Sequence, residues 1–389
     1  MISLQEKIKA SIYLLSYFET LGFYNGNWEF NYGINTINTK EQASEVWLHI
    51  VHDYFAKGGF TNIDLTGFLS SDDTIMTIAT GIACLRGVST STNEKHYIDE
   101  YIRILDILKK PVRQSGINTL NTLELIKRLQ SIDKLESKEN MGGNGATMRT
   151  SIIGLIYYKE KDQDLLIENS IIASRVTHNY SLGYLGGLVT ALFTSYAIRD
   201  IPVWEWSTYL IKLYEKGIID NYMKKTTIND EYIKNKDQFF DKWYQYNEEK
   251  IEKFKYKTSD FIHYDNRIDS LDDYNDYKGK GSKNNYTRFG GSGVSCLIVA
   301  YDSLLSSFSS NKIPFNLKDN SLKISLDSLI FFSCLHFGDN DTTGAIAGAW
   351  YGAMYGFKNF DQEKLKPLEF KEQLNKITTE VIKSISSKK

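Results

Sequence analysis

Two short segments of the chain concentrate hard oxygen ligands. Ser71, Asp72, Asp73 and Thr74 lie in Leu69-Ser-Ser-Asp-Asp-Thr-Ile-Met76, and Asp339, Asp341, Thr342 and Thr343 follow Gly338. Each segment opens a predicted helix, where Ser, Thr and Asp accept hydrogen bonds from unpaired N–H groups and the helix dipole favours a carboxylate. Capping alone accounts for either segment taken singly. Together, Asp-Asp and Asp-x-Asp carry more carboxylate than two caps require, and adjacent carboxylates repel unless cations lie between them. Carboxylate and hydroxyl oxygens with no nearby His or Cys suit Mg²⁺ or Mn²⁺. If the two helix starts converge, they could hold two divalent ions roughly 3.5–4 Å apart, an arrangement that orients a substrate and activates water.

Two further segments carry unusual local chemistry. Met141-Gly-Gly-Asn-Gly-Ala-Thr-Met-Arg149 is a glycine-rich loop leading into an apolar helix, a junction that can hold phosphate oxygens or form a plain turn. His178, in Ser174-Arg-Val-Thr-His-Asn179, precedes a long uncharged run and reads either as a helix cap or core group or as a ligand-facing residue.

The elements that must position these groups are helical. Ala43, Trp47, Ile50, Val51 and Tyr54 share one helix face, as do Ile98, Tyr101, Ile102, Leu105 and Leu108 before Pro111. Phe370, Leu374, Ile377, Val381 and Ile385 form a third stripe. Gly344, Gly348, Gly352 and Gly356 recur every fourth residue, stacking along one side of a helix. Each costs about 1 kcal/mol relative to alanine in a helix interior, so close backbone approach by a neighbouring helix is expected there. The run Asn179–Ile198 is long enough to raise a membrane span, but its glycines and polar residues favour a buried core helix. Strand alternation is scarce, and the fold class expected is all-α.

Composition agrees with a globular chain. Of 389 residues, 42% are apolar and 24% charged, and 46 Lys plus Arg against 48 Asp plus Glu leave a net charge of −2, which argues against a nucleic-acid footprint. Four prolines leave room for uninterrupted helices. Three scattered cysteines (Cys84, Cys296, Cys334) make a zinc site or disulfide framework unexpected and fit a reducing compartment. With no leader-like segment at the start, a cytoplasmic protein is expected. One domain over residues 1–389 is expected, with a charged, tyrosine-rich insertion at about Asn221–Tyr286, read as a solvated surface of amphipathic helices or alternatively as a lid or partner-binding surface, that contains a linker-like stretch, Asp276–Asn285.

The motifs occur in the order of the ADP-ribosylglycohydrolase family, and the chain most resembles its ADP-ribosylarginine hydrolase branch. The resemblance is carried by Gly22-Phe-Tyr-Asn-Gly-Asn-Trp-Glu-Phe30, Ser71-Asp-Asp-Thr-Ile-Met76, Gly142-Gly-Asn-Gly-Ala-Thr-Met-Arg149 and Arg175-Val-Thr-His178. It continues through Gly183-Tyr-Leu-Gly186, Gly290-Gly-Ser-Gly293 with Ala300-Tyr-Asp302, and the block from Gly338 to Phe357.

The resemblance implies an all-α orthogonal multi-helix bundle with a binuclear Mg²⁺ or Mn²⁺ centre. It also implies hydrolysis of the N-glycosidic bond between ADP-ribose and an arginine side chain, with ADP-ribosylated proteins as partners. Apart from the resemblance, no membrane or nucleic-acid partner and a monomer are expected. On this basis Ser71, Asp72, Asp73, Asp339, Asp341 and Thr342 would be metal ligands, and Glu29 matches the family's glutamate beside the metals. Gly143, Asn144 and Gly145 would hold the diphosphate, His178 the ribose region, and Phe289, Gly290, Gly291, Ser292 and Gly293 the adenosine end. Asp72 or Asp73 would orient the attacking water, with Glu29 the alternative, assisting departure of the guanidine.

The chain departs from the family pattern in two places. Phe18-Glu19-Thr-Leu-Gly22 replaces an early G-D-x-L-G, so the position of Glu19 either supports packing or braces the metal shell. Gly290-Gly-Ser-Gly-Val-Ser295 stands where the arginine branch carries His-Asp, which bears on acceptor specificity. Three alternatives stay open: hydrolysis of a serine or nucleobase linkage, an inactive ADP-ribose-binding relative, and a scaffold acting through the insertion.

Overall fold

A computed structural model describes residues 2–30, 37, 39–91, 93–252, 267, 271, 289–308 and 324–387. Among them the secondary structure is helical, with only the isolated bridges Gly143↔Ser292 and Phe308↔Ile324 in extended pairing. The longer helices are α1 (Leu4–Phe23), α2 (Lys40–Ala56), α3 (Asp72–Thr90), α4 (Glu94–Arg103), α5 (Ile117–Leu129), α6 (Gln163–Arg175) and α7 (Ser181–Ile198). They continue as α8 (Trp206–Glu215), α9 (Asn229–Tyr246), α10 (Ser295–Ser306), α11 (Leu326–Cys334), α12 (Asn340–Tyr355) and α13 (Lys371–Ser387). All-α architecture, as expected, follows.

Helix α12 is the glycine-striped one, and its partner is α1. A Cβ at Gly348 would sit 2.4 Å from the Leu14 carbonyl oxygen, and one at Gly352 would sit 2.4 Å from the Ala10 carbonyl carbon. Gly344 faces the Phe18 carbonyl at 3.1 Å, while from the other side Gly22 faces the Asn340 carbonyl at 2.4 Å. As one helix advances by four residues the other retreats by four, so the two run antiparallel with backbones in direct contact. Ser11 Oγ donates to the Ala349 carbonyl at 2.8 Å across the same seam. The seam sets the start of α12 beside the end of α1, and the acidic residues at both places inherit that proximity.

The periodic stripes behave as read. Ala43, Trp47, Ile50 and Tyr54 are buried on α2, and Leu374, Ile377, Val381 and Ile385 on α13. Tyr97, Ile98 and Tyr101 are buried on α4, which breaks at Ile104 before a short turn of helix, Leu105–Leu108. Phe370 lies one residue before α13 with φ +57°, outside the helix its spacing suggested. The uncharged run is α7, long and apolar enough to cross a membrane by composition, yet wholly buried within the protein. The three cysteines are free and buried.

Within the charged insertion, the described residues include an amphipathic helix, the kind of element expected there. Helix α9 lies within it and buries Tyr232, Phe239, Phe240, Trp243 and Tyr246. The Trp243 ring packs 5.3 Å from Phe193 of α7, and Tyr246 Oη donates to Asp302 Oδ2 at 2.9 Å. Buried Arg267 pairs with the other Asp302 oxygen and donates to Ser303 Oγ at 2.8 Å. Aromatic residues thus bury one face of α9, while Asp230, Lys234, Asp237 and Asp241 stay exposed. The linker-like stretch 276–285 lies outside the described residues.

Because Gly348 meets backbone rather than a flexible side chain, Gly348→Val is expected to cost about 2–3 kcal/mol through overpacking, read as a lower urea midpoint. A midpoint equal to that of the wild type would remove the close-approach account of the glycine stripe.

Candidate metal centre

Asp339 is the N-cap of α12; its carboxylate accepts from Thr342 N at 3.4 Å, and Asp341 Oδ1 accepts from the same N–H at 2.8 Å. The capping reading is therefore correct as far as it goes. A single N–H shared by two carboxylates leaves most of their oxygens for other partners. Thr343 faces inward instead: its hydroxyl contacts His336 Nε2 at 2.8 Å and the Ser333 carbonyl at 2.7 Å.

Glu29 is brought to this helix start by the chain leaving α1. Residues Tyr24, Asn25, Gly26 and Phe30 all have positive φ, which turns the backbone sharply. Trp28 is fully buried between Tyr24 and Tyr54, with Nε1 donating to Asp53 Oδ2 of α2 at 3.0 Å. Its carbonyl accepts from Asn340 Nδ2 at 2.9 Å, and Phe30 N donates to the Gly338 carbonyl at 2.9 Å. Held on both sides, Glu29 places a carboxylate oxygen within 4.8 Å of oxygens of Asp339 and Asp341. Glu29 is thus part of the acidic cluster itself, where sequence reasoning had set it beside one.

The second acidic segment faces the same place. Ser71 caps α3, its Oγ accepting from Asp73 N at 3.3 Å. Ser71 N donates to Glu19 Oε1, and Thr74 Oγ1 donates to Glu19 Oε2 at 2.8 Å, so α1 supports the start of α3. One residue earlier, Ser70 N donates to Glu369 at 3.1 Å and Ser70 O accepts from Arg113 at 2.6 Å. Arg113 grips Glu369 through two hydrogen bonds of 2.7 Å each.

The electrostatics show the convergence of the two segments. Burial pushes the Asp72 carboxyl up to about 7, with the Asp341 charge the next cause and the Arg149 guanidinium opposing. Asp73 is held well above the usual carboxylate range by burial and then by Asp341, Asp72, Glu19 and Asp339. Glu29 is raised by burial and by Asp341, Asp339 and Asp72. Asp339 and Asp341 are raised by burial as well, and Glu19 reaches about 8. The causes common to these shifts are burial and mutual repulsion of carboxylates. Arg149, buried nearby, hydrogen-bonds to Gly145 O, Ala173 O and Thr177 Oγ1.

Two observations test whether this donor set fits a divalent metal. Glu29 Oε2 and Asp73 Oδ2 are buried with no hydrogen-bond partner, although such atoms are normally paired. The surrounding donors are carboxylates and hydroxyls, without His or Cys, as hard cations prefer. The residues present fit the group.

The glycine-rich loop adjoins the acidic cluster. Asn144 Nδ2 donates to Asp339 Oδ2 at 2.7 Å and to the Gly290 carbonyl at 3.0 Å, so its amide is engaged with the acidic cluster. Gly143 pairs with Ser292, and Gly293 N donates to the Gly142 carbonyl at 2.9 Å. A Cβ at Gly145 would sit 2.6 Å from the His178 ring, which leaves room for glycine alone. His178 contacts the Thr177 hydroxyl through Nδ1 at 2.8 Å, and burial followed by the Arg149 charge lowers its pKa to about 3, so the ring is neutral at physiological pH. Phe289 accepts from Asp339 N through its carbonyl at 2.9 Å, Gly290 adopts φ +77° against Thr343, and Gly291 O lies near Gly143. Ser292 is buried and bonded to Ser295 at the start of α10. All the sequence-assigned site segments therefore meet around one point.

Several supporting residues escaped sequence reasoning. Arg113 and Glu369 are separated by 256 positions, and no local pattern links them. Asn340 sat visibly between Asp339 and Asp341, but its contact with Trp28 depends on the fold. Arg149 stood in a quoted motif, where a buried arginine under a glycine loop was the available signal.

The ADP-ribosylglycohydrolase family model matches residues 3–389. The ADP-ribosylhydrolase ARH1 of Dictyostelium discoideum is 31% identical over 405 aligned positions, covering 97% of this chain and 94% of the relative. A putative ADP-ribosyl glycohydrolase, L444, of Acanthamoeba polyphaga mimivirus is 30% identical over 375 positions, covering 94% of this chain and 68% of the relative. A solved chain of an ADP-ribosylglycohydrolase-related protein complex shares the fold, with a TM-score of 0.56 at 16% identity over 98% of this chain and 99% of that one. With its acidic helix starts brought together by a helical fold that this family's members share, the chain belongs to the ADP-ribosylglycohydrolase family of hydrolases.

Proposed function

We propose that the protein is a metal-dependent hydrolase that releases ADP-ribose from arginine side chains of mono-ADP-ribosylated proteins. The observation that carries this reading is the buried grouping of Glu29, Asp339 and Asp341, with Asp72 and Asp73 close enough for their charges to act on Asp341. Ser71, Asp72, Asp73, Asp339, Asp341 and Thr342 would hold two Mg²⁺ or Mn²⁺ ions, with Glu29 at their edge. Such ions supply Lewis acidity, favouring ionised water at neutral pH and drawing ribose hydroxyls into register.

The chain's own residues supply the rest. Cleavage at the anomeric carbon builds positive, oxocarbenium-like character on the ribose, which surrounding carboxylates stabilise. Asp73 Oδ2, buried without a partner, can take the proton of the attacking water. Glu29 Oε2, likewise unpartnered, can assist the departing guanidine. Neutral His178 can meet a ribose hydroxyl without adding charge, and the loop Gly143–Gly145 beside it would take the diphosphate. A cationic arginine linkage suits a carboxylate-rich site such as Glu29's surroundings better than an uncharged serine O-glycoside does, since complementary charge favours the former. The absence of ionisable side chains from Gly290 to Ser295 favours the second reading, a serine or nucleobase linkage.

Incubation with arginine-, serine- and nucleobase-linked ADP-ribose, with Mg²⁺ or Mn²⁺ and with EDTA, is expected to give metal-dependent release from arginine alone. Release from serine alone would establish the second reading, and no release from any would end both. Asp341→Asn is expected to lower kcat at least ~10²-fold, since even indirect support of a metal ligand is typically worth 10–100-fold. It should also raise the melting temperature of the metal-free protein, because it removes one buried charge from a repelling group. Wild-type turnover in this variant would contradict the ligand role.

The raised carboxyl pKa values fix the sign of a pH effect. Their folded values lie above the unfolded ones, so their stabilising contribution is full below about pH 4 and is lost as pH rises through 7 to 8. Metal-free protein is therefore expected to melt at lower temperature at pH 8 than at pH 6, with Mg²⁺ narrowing the gap. Calorimetry at pH 7 should register proton release on Mg²⁺ binding; binding without it would place the cation elsewhere.

A further inference from the structure

We infer that Glu19 is a positioning residue for the metal centre, holding the Ser71–Asp73 segment from beneath; the inference rests on the metal-dependent reading above. Glu19 lies on α1, is fully buried and is separated from the segment it supports by about fifty positions of sequence. Its carboxylate spans two groups of α3's first turn. Oε1 accepts from the Ser71 backbone N–H, and Oε2 accepts from Thr74 Oγ1 at 2.8 Å. Thr20 Oγ1 also donates to Oε2, at 3.1 Å, and lies 3.2 Å from Ser70 Oγ. Thr74 Oγ1 lies 3.1 Å from Ser16 Oγ of the same helix α1.

These bonds have a specific mechanical effect. Helix starts leave N–H groups unpaired, and the Ser71 side chain answers only the N–H of Asp73. Glu19 pairs the N–H of Ser71 itself, fixing the residue whose hydroxyl and whose two following carboxylates face Asp341. Helix α1 is in turn locked to α12 by the Gly348–Leu14 and Gly22–Asn340 backbone contacts. Glu19 therefore ties one acidic segment to the helix that locates the other, and the distance between them depends on its length. A glutamate reaches both Ser71 N and Thr74 Oγ1 from this position; an aspartate, shorter by one methylene, reaches at most one.

The test is metal affinity in folded protein, measured by calorimetry with Mn²⁺ alone, alongside kcat and KM. Glu19→Gln keeps the length and the acceptor for Ser71 N and is expected to bind Mn²⁺ only a few-fold more weakly. Glu19→Asp is expected to lose about 10–100-fold, the range seen when residues bracing metal ligands are changed, with kcat falling more than KM rises. Thr74→Val, which leaves the carboxylate intact, should weaken Mn²⁺ binding in the same direction, and Thr74→Ser should restore it. Wild-type affinity in both Glu19→Asp and Thr74→Val overturns the inference, as does a lowered melting temperature with unchanged Mn²⁺ affinity. Failure of the wild-type protein to bind Mn²⁺ would instead overturn the metal-dependent reading, so the two failures are distinct.

Discussion

The contact of two helix backbones, α1 against α12, is the constraint on which the remaining structure depends. Three glycines in register, Gly344, Gly348 and Gly352, remove the side chains that would hold the helices apart, at about 1 kcal/mol each in helix propensity; the fourth of the series, Gly356, instead ends α12 at φ +58°. What this makes possible is geometrical. The first turn of α12 carries Asp339 and Asp341, the last turns of α1 carry Glu19 and lead to Glu29, and the antiparallel seam lays these ends side by side. Ordinary packing at 8–10 Å between axes would separate the same carboxylates by the thickness of a layer of side chains.

The resulting acidic cluster works against the stability of the fold. Burial and mutual repulsion raise the pKa values of Glu29, Asp72, Asp73, Asp339 and Asp341 together, a pattern more typical of functional sites than of structural ion pairs. The surrounding architecture is correspondingly rigid. Ser70 and Ser71 are held by Arg113, Glu369 and Glu19, and Trp28 is wedged among aromatic rings with its indole on Asp53. Strongly repelling groups keep a fixed geometry only when the elements beneath them are over-determined.

Much of this was legible in the sequence because it is local. The acidic helix starts, the glycine register and the apolar stripes of α2 and α13 are patterns within a few turns of chain, and each led to the correct element. The partner of the glycine stripe could be named only as some helix, since nothing in residues 344–356 specifies Leu14 or Ala10. The pairings themselves left no trace: Arg113 with Glu369, Asn144 with Asp339 and Trp28 with Asp53 join residues far apart in sequence, even where one partner lies in a conspicuous motif. The insertion could be read as amphipathic, and α9 turns Phe239, Phe240, Trp243 and Tyr246 inward, but nothing local in it named Phe193 of α7 or Asp302 as the surface it packs on.

One amide deserves a last consequence. Asn144 touches a carboxylate of the acidic cluster with the same nitrogen that reaches the Gly290 carbonyl, so three chain segments remote in sequence share a single donor. The glycine loop and the acidic helix start are therefore not independent grounds placed side by side. A displacement of either pulls on a common tether, and a molecule long enough to lie across both meets its two contact regions already spaced by that bond, with the ordering entropy settled before it arrives.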